Sequence, residues 1–519
     1  MASSMIKNMK FSLFVISPLV AILLISATSR LKDNMINISF SAKTFLGFGQ
    51  IKNTPASNFL LKEFERRKIK IALVNTHEED EVEWKVHGKT SVIHFDQVPK
   101  DRRWEDYFPE WIDEDETLST PTCKDIPMPI YDKYDEFGVV ISRVPCGDNV
   151  VDQREGVRDV SRLQVNLVVA NLVVNKIRGE DHDPRQVYVV FLGPCEPMWE
   201  IFRCEDLVLH KKDFRIYKPD LRRLKQKVLM PTGTCQLALP FEKQGEEQIN
   251  YNFSKLEDPM DHPRQAYVTV LHSSETYVCG AITLAQSIIQ TNTTKDLVLL
   301  ADKSITEKSR RALQTAGWKI KNIDRIRSPY AKRGAYNEWN YSKLRIWQLS
   351  EYDKIIFIDS DVIILKNIDK FFVFPQLSAV GNDKMLFNSG LMSIEPSNCV
   401  FKSLMKKRRT LFSYNGGDQG FLNEAFTWWH RLPKRLNRLK FFSPGSNTEH
   451  KLPETLLAIH YVGLKPWTCH RDYDCNWDMP DHHYYASNSA HAKWWEAHDT
   501  MPKRLQRFCG LSQVSTMLK

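Results

Sequence analysis

The sequence predicts an α/β protein whose main sheet is doubly wound and mostly parallel, and three features lead there. Ala266–Leu271, Asp296–Ala301 and Lys354–Ile358 are short apolar runs, as expected of strands buried on both faces. Helical patterns follow the first two, over Tyr277–Gln290 and Thr306–Ala316, and strand–helix alternation at this spacing gives parallel crossovers. Finally, 519 residues exceed what one ordinary core organises, and a second set of apolar runs upstream predicts a further α/β-like region.

From the start, residues 1–10 read as a cytosolic tail, and Phe11–Ser29 carries no charge. That length crosses a hydrocarbon core of about 30 Å as a helix. The expectation is a single-pass transmembrane signal anchor with the bulk of the chain luminal. A cleavable signal peptide ending at Ala27-x-Ser29 is the competing reading. Residues 30–58 lack periodicity and read as a stem. In 59–243, Ile69–Asn75, Ser91–Phe95, Phe137–Val144 and Gln186–Gly193 are expected strands, and Leu163–Ile177 carries a helical stripe. The acidic stretches Glu78–Glu81 and Glu110–Glu116 read as solvated loops. No catalytic constellation emerges there, and support, acceptor recognition and partner contact all stay open. Polar residues 244–264 form the expected linker, 265–508 the catalytic region and 509–519 a tail.

Ten cysteines suit a luminal compartment, with Cys469–Cys475 and Cys195–Cys204 the candidate local bridges. Sequons stand at Asn37, Asn252, Asn292 and Asn340. The net charge of +9 gathers at Lys406–Arg409 and at Lys434, Arg435, Arg438 and Lys440. No nucleic-acid motif accompanies these runs, so solvated faces, or a surface for an acidic sugar, are the readings that remain.

The chemistry centres on the strand Lys354–Ile358, which ends on Asp359 and Asp361 with only Ser360 between. Ligands of open α/β sheets bind beyond the carboxyl ends of the strands. Two acids there repel and are costly to desolvate. A hard divalent cation such as Mg²⁺ or Mn²⁺ removes that cost, its coordination completed by substrate phosphates. An isolated Asp-x-Asp is more often a solvated turn, and a lone His460 after an apolar run is more often a core histidine. The company they keep decides.

That company is Phe387–Ser393 (FNSGLMS), Asn415–Asn423 (NGGDQGFLN) and His460–Trp467 (HYVGLKPW). With the Asp-Ser-Asp strand these motifs resemble the glycosyltransferases of family 8, typified by glycogenin, over about Ala266–Trp467. The resemblance implies a GT-A type nucleotide-sugar fold, a UDP-sugar donor and retention at the anomeric carbon. It implies that Asp359, Asp361 and His460 hold a metal, usually Mn²⁺, with Ser360 in the same turn. It places Lys465 and Gly463 on the diphosphate, Tyr277 on the uracil, and Ser273 or Ser274 near the nucleotide. Lys343 falls near sugar and phosphate, and Asn388, Ser389, Gly390, Asp418 and Gln419 line the donor sugar and reaction centre. Asp418, the expected catalytic carboxylate with Gln419 and Lys343, would stabilise an oxocarbenium-like transition state. Asn415 stands where glycogenin has an acid.

Lys70–Glu79 (KIALVNTHEE), His94–Pro99 (HFDQVP) and His470–Asp478 (HRDYDCNWD) extend the resemblance, nearly end to end, to the plant glucuronosyltransferases that decorate xylan. This implies transfer from UDP-glucuronate to O-2 of backbone xylose, in the Golgi and in the company of other wall-polysaccharide enzymes. A buried glucuronate carboxylate needs a cationic partner, for which Arg345 and Arg333 are the candidates. A self-glucosylating glucan primer, a family member using another UDP-sugar, and a silent polysaccharide-binding subunit are the rivals. The intact Asp-Ser-Asp, His460 and Lys465 speak against the last.

Overall fold

Two sheets built on the same alternation carry the molecule. The structure, a computed structural model, describes residues 55–63, 69–108, 125–146, 158–175, 187–211, 213–233, 263–383, 385–442 and 450–509. The expected tail, anchor, most of the stem, the linker up to His262, Glu110–Glu116, Asn37 and Asn252 lie outside these. Among the described residues no helix is long and apolar enough to cross a membrane.

The first region holds β1 (Ile69–Val74), β2 (Gly88–Ile93), β3 (Val139–Arg143), β4 (Tyr188–Leu192), β5 (Leu207–Lys211) and β6 (Phe214–Tyr217), in the order β2-β1-β3-β4-β6-β5. The first four strands are parallel, and β6 and β5 close the edge antiparallel. Helix Val160–Asn175 is buried along most of its length, in keeping with its run of Val and Leu, and takes Gln164 and Asn166 inside with it. Helix Pro55–Glu63 precedes β1, so this region begins inside the expected stem. Glu78–Glu81 is corrected: these acids open helix Glu78–Lys85, where a helix N-terminus favours negative charge. Asp80 among them is buried and paired with Arg143 at 2.6 Å.

The second region holds β7 (Gln265–Leu271), β8 (Asp296–Ala301), β9 (Lys319–Asn322), β10 (Lys354–Ile358), β11 (Val362–Ile364), β12 (Ser378–Gly381), β13 (Phe387–Ile394), β14 (His430–Leu432), β15 (Arg438–Leu439) and β16 (Ala458–His460). The main sheet runs β14-β12-β13-β10-β7-β8-β9, and a small sheet runs β11-β16-β15. Strands β10, β7, β8 and β9 are parallel, as expected, whereas β13 lies antiparallel to both β10 and β12. That inverted strand brings the FNSGLMS segment alongside the Asp-Ser-Asp strand. Asp359 N–H donates to the Gly390 carbonyl at 2.8 Å.

Cys469–Cys475 forms as expected. Cys195–Cys204 does not: Cys195 bonds Cys146, and Cys204 bonds Cys399. The reason is topological. Cys146 and Cys195 follow the adjacent parallel strands β3 and β4, which carry them side by side. Cys204 opens a turn of 3-10 helix against helix Asn398–Lys407, which holds Cys399. Cys279–Cys509 ties the chain end to helix Val278–Gln290, so Cys509 belongs to the catalytic region rather than to a tail.

The two regions meet behind helix Asp418–Ala425. The last carbonyls of a helix lack partners within it. Here Arg158 donates to Asn423 O at 3.1 Å and the Trp199 indole to Ala425 O at 2.8 Å. Glu200 Oε1 accepts from the Thr427 amide and hydroxyl, each at 3.0 Å. The Trp428 ring sits in the first region's core. Deeper in, Glu395 at the end of β13 meets Arg203 at 2.5 Å and Lys354 at 3.6 Å.

Candidate active site

Strand β10 is wholly buried, and the turn after it presents Asp359 and Asp361 beyond its carboxyl end. Strand β16 runs antiparallel to β11 with His460 opposite Val362, which returns the imidazole to that turn. The ligand atoms of Asp359, Asp361 and His460 lie within 4.8 Å of one another. Gly390 faces this group from β13, where a Cβ would stand 2.4 Å from His460 Cε1. Only glycine leaves room for the imidazole.

The acids have cationic neighbours that their local sequence does not show. Lys343, on the 3-10 helix Asn340–Gln348, is buried with Nζ 2.6 Å from Asp418 Oδ2 and 3.2 Å from Asp359 Oδ1. Lys465 Nζ lies 2.7 Å from Asp361 Oδ2. Burial drives Asp359 upward against the pull of Lys343, and the adjacent Asp361 charge adds to the rise. For Asp361 burial is outweighed by Lys465 and His460, which hold it well below the usual carboxylate range. Lys343 is pushed up, its burial outweighed by Asp359 and Asp418.

Asp418 opens its helix with its carboxyl fixed from two sides, by Lys343 and by the Ser389 hydroxyl at 2.8 Å. Gln419 Oε1 accepts the Ser389 amide at 3.2 Å, and its Nε2 donates to the Tyr414 hydroxyl at 2.8 Å. Asn415 Oδ1 accepts from the amides of Gly417 and Gly420 at 2.9 and 3.1 Å, so it caps this helix. Lys465 lies over the Tyr277 ring, 5.9 Å from its centroid, and that ring meets Trp467 edge-on. Gly463 has φ +77, and a Cβ there would lie 2.5 Å from Asn476 Oδ1, so the turn itself demands glycine. Ser274 caps the turn into Tyr277, and Ser273 Oγ lies 3.3 Å from Arg325 Nη1. Asn388 accepts the Gly390 amide at 2.9 Å. Ser360 sits buried between the two acids. The structure thus brings the expected residues to one end of the sheet.

Arg345 is corrected. Arg345 donates to Asp324 O at 3.1 Å and to Gln348 Oε1 at 2.8 Å, and its guanidinium lies over Phe401. None of these partners belongs to the site, whereas Arg333 is exposed on the loop leading to Lys343 and keeps its candidacy. Arg325 is a further guanidinium near the site, 2.9 Å from buried Asp302 and over the Trp339 ring at 4.3 Å. Neighbouring His272 is pushed down to about 4 by burial, against the Asp418 and Asp302 charges. Asp302 directly follows β8, so the strand-end rule that picks out Asp359 also reaches it. Arg325 has no comparable signal. Asn437 was hidden in a run read as solvated charge, and Lys440 of that run is fully buried on Asp474 at 2.8 Å.

Asn437 orients the histidine. His460 Nδ1 lies 3.1 Å from Asn437 Oδ1, whose amide nitrogen donates to Asn388 Oδ1 at 2.9 Å. With Nδ1 on the amide, Nε2 faces Asp361 Oδ1, 3.4 Å away. Two carboxylates and one imidazole suit a divalent ion, so the residues fit such a metal. An Asn437→Ala variant is expected to lower metal affinity by about 10–100-fold, the usual cost of removing a ligand's orienting partner. Titration of Mn²⁺ against the purified variant checks this.

Fold and site together define a nucleotide-sugar transferase. The model of glycosyl transferase family 8 matches residues 268–470, and that of the GUX1-5 N-terminal domain matches 49–235. The UDP-glucuronate:xylan alpha-glucuronosyltransferase 2 of Arabidopsis thaliana is 50% identical over 456 residues, 86% of this chain and 76% of that protein. Inositol phosphorylceramide glucuronosyltransferase 1 of the same plant is 35% identical over 34% of this chain and 32% of its own. Human glycogenin-1 is 31% identical over 39% of this chain and 62% of its own. The chain belongs to glycosyltransferase family 8.

Proposed function

We propose that the protein transfers glucuronic acid from UDP-glucuronate to O-2 of xylose in the xylan backbone, with retention, forming α-1,2-linked side groups. The observation that carries this is the reach of the likeness. The xylan enzyme matches both regions at 50% identity, whereas glycogenin matches 39% of the chain.

Asp359, Asp361 and His460 would hold Mn²⁺, which supplies Lewis-acid stabilisation to the departing diphosphate. Lys465 provides a second cation for that leaving group. Asp418, pinned by Lys343 and Ser389, presents a fixed negative charge suited to an oxocarbenium-like transition state. The same reading anchors the chain in the Golgi membrane through residues 11–29, with the catalytic region luminal. Four disulfides among the described residues support an oxidising compartment. Protease protection in sealed microsomes tests the orientation; digestion of the catalytic region without detergent would reverse it.

The full chain, solubilised and supplied with Mn²⁺, xylohexaose and a panel of UDP-sugars, should form a product heavier by one glucuronic acid. Preference for UDP-glucose would reject the donor. Arg325, near the site and beside Asp302, is our candidate guanidinium for the sugar carboxylate. Arg325→Ala is expected to weaken use of UDP-glucuronate by about 2–5 kcal/mol, the cost of an orphaned buried charge, and use of UDP-glucose far less. Equal losses for both donors would leave Arg325 without that role.

A further inference from the structure

A cavity of about 350 Å³ adjoins the start of the catalytic helix, lined by Tyr330, Asn337, Phe412, Tyr414, Asn415 and Gly416 among others. That volume falls within the range of about 300–1,000 Å³ that small-ligand sites occupy. Its wall ends two residues before Asp418. Its chemistry is also continuous with the reaction centre, because the Tyr414 hydroxyl accepts from Gln419 Nε2 at 2.8 Å.

The cavity rim is unusually aromatic for free surface. Phe412 is 66% exposed and Tyr414 47%, and Tyr336, between the lining residues Ala335 and Asn337, is 88% exposed. Rings left in water at this cost mark a binding surface more often than chance. Phe412 stands edge-on to Tyr330 with centroids 5.5 Å apart, and the Tyr330 hydroxyl donates to Arg409 O, so the pair is held in place. The floor is firm too. Ser328 Oγ donates to Gly416 O at 2.6 Å and Asn337 Nδ2 to Asn415 O at 2.8 Å.

The lining contains aromatic rings, asparagines and small residues, with Lys332 its one charged member and no carboxylate. Such a surface suits a neutral ligand that offers C–H faces to rings and hydroxyls to amides. We propose that this cleft is the acceptor subsite, holding an uncharged β-linked pentose chain against Phe412 and Tyr414 and delivering one sugar hydroxyl to Asp418 and Gln419. The proposal rests on the xylan reading above and names the residues that would carry its acceptor side.

The test separates the two. Phe412→Ala touches no residue of the donor cluster. With UDP-glucuronate saturating, its KM for xylohexaose should rise at least tenfold. The KM for the donor and the slow hydrolysis of donor without acceptor should stay at wild-type values. Phe412→Trp should restore most of the acceptor affinity. An unchanged acceptor KM in Phe412→Ala would overturn the cleft while leaving xylan as the acceptor. A loss of donor hydrolysis equal to the loss of transfer would overturn it also, by showing general damage. Failure of the wild type to modify xylohexaose while it hydrolyses UDP-glucuronate would overturn the xylan reading and, with it, the occupant proposed for the cleft.

Discussion

An Asp361→Asn variant is expected to lose transfer by about 10²–10³-fold, a loss in line with removing preorganised charge at a reaction centre. It should lose UDP-dependent Mn²⁺ binding in parallel. The amide keeps the shape of the turn but removes the charge shared by Lys465 and His460. Lys465 can extend its ammonium toward the opening of the cleft, so the fold should survive. Calorimetric titration of Mn²⁺ with and without UDP, beside a melting curve, gives both readouts. Near-normal turnover of the variant in the presence of a chelator would sink the metal assignment.

The second large effect lies away from the site. Glu395→Ala is expected to destabilise the protein by about 3–5 kcal/mol, the usual cost of stranding buried partners of an ion pair. Glu395 is buried, yet Lys354, Arg203 and Lys227 outweigh burial and hold its carboxyl down to about 2. An unfolded chain returns it to 4.5. Between those values the unfolded state binds more protons, so stability falls as pH falls through the window. Denaturant midpoints measured from pH 5 downward should therefore drop, and Glu395→Gln should show a shallower acid limb. Parallel limbs for both proteins would remove Glu395 from the account.

Much of the site was legible because it sits in strands and tight motifs. The apolar run of β10 ending on Asp359 and Asp361 is readable from period and composition alone, and His460 from its place in HYVGLKPW. Lys343 was ambiguous in sequence, since a lysine on a helix is usually solvated; only its burial between Asp359 and Asp418 decides. Asn437, Asp302 and Arg325 come from separate segments, and the folded chain brings them to the cleft. Cys204–Cys399 was out of reach for the same reason, since 195 residues separate the pair. Asp80 was missed differently: a run of acids reads as solvated until one turns inward onto Arg143.

The lysines beside the acids have a thermodynamic consequence. Asp359, Asp361 and Asp418 face Lys343 and Lys465, which leaves the cluster close to neutrality before any ligand arrives. A divalent cation alone must compete with Lys465 for Asp361, and a diphosphate alone meets carboxylates close to both lysines. Arriving together, each supplies the counter-charge that the other displaces. Metal and donor should therefore bind with positive coupling, each raising the other's affinity by one and the same factor. Free cellular metal then gains little hold on the empty site, and donor abundance sets how much of the protein is metal-loaded.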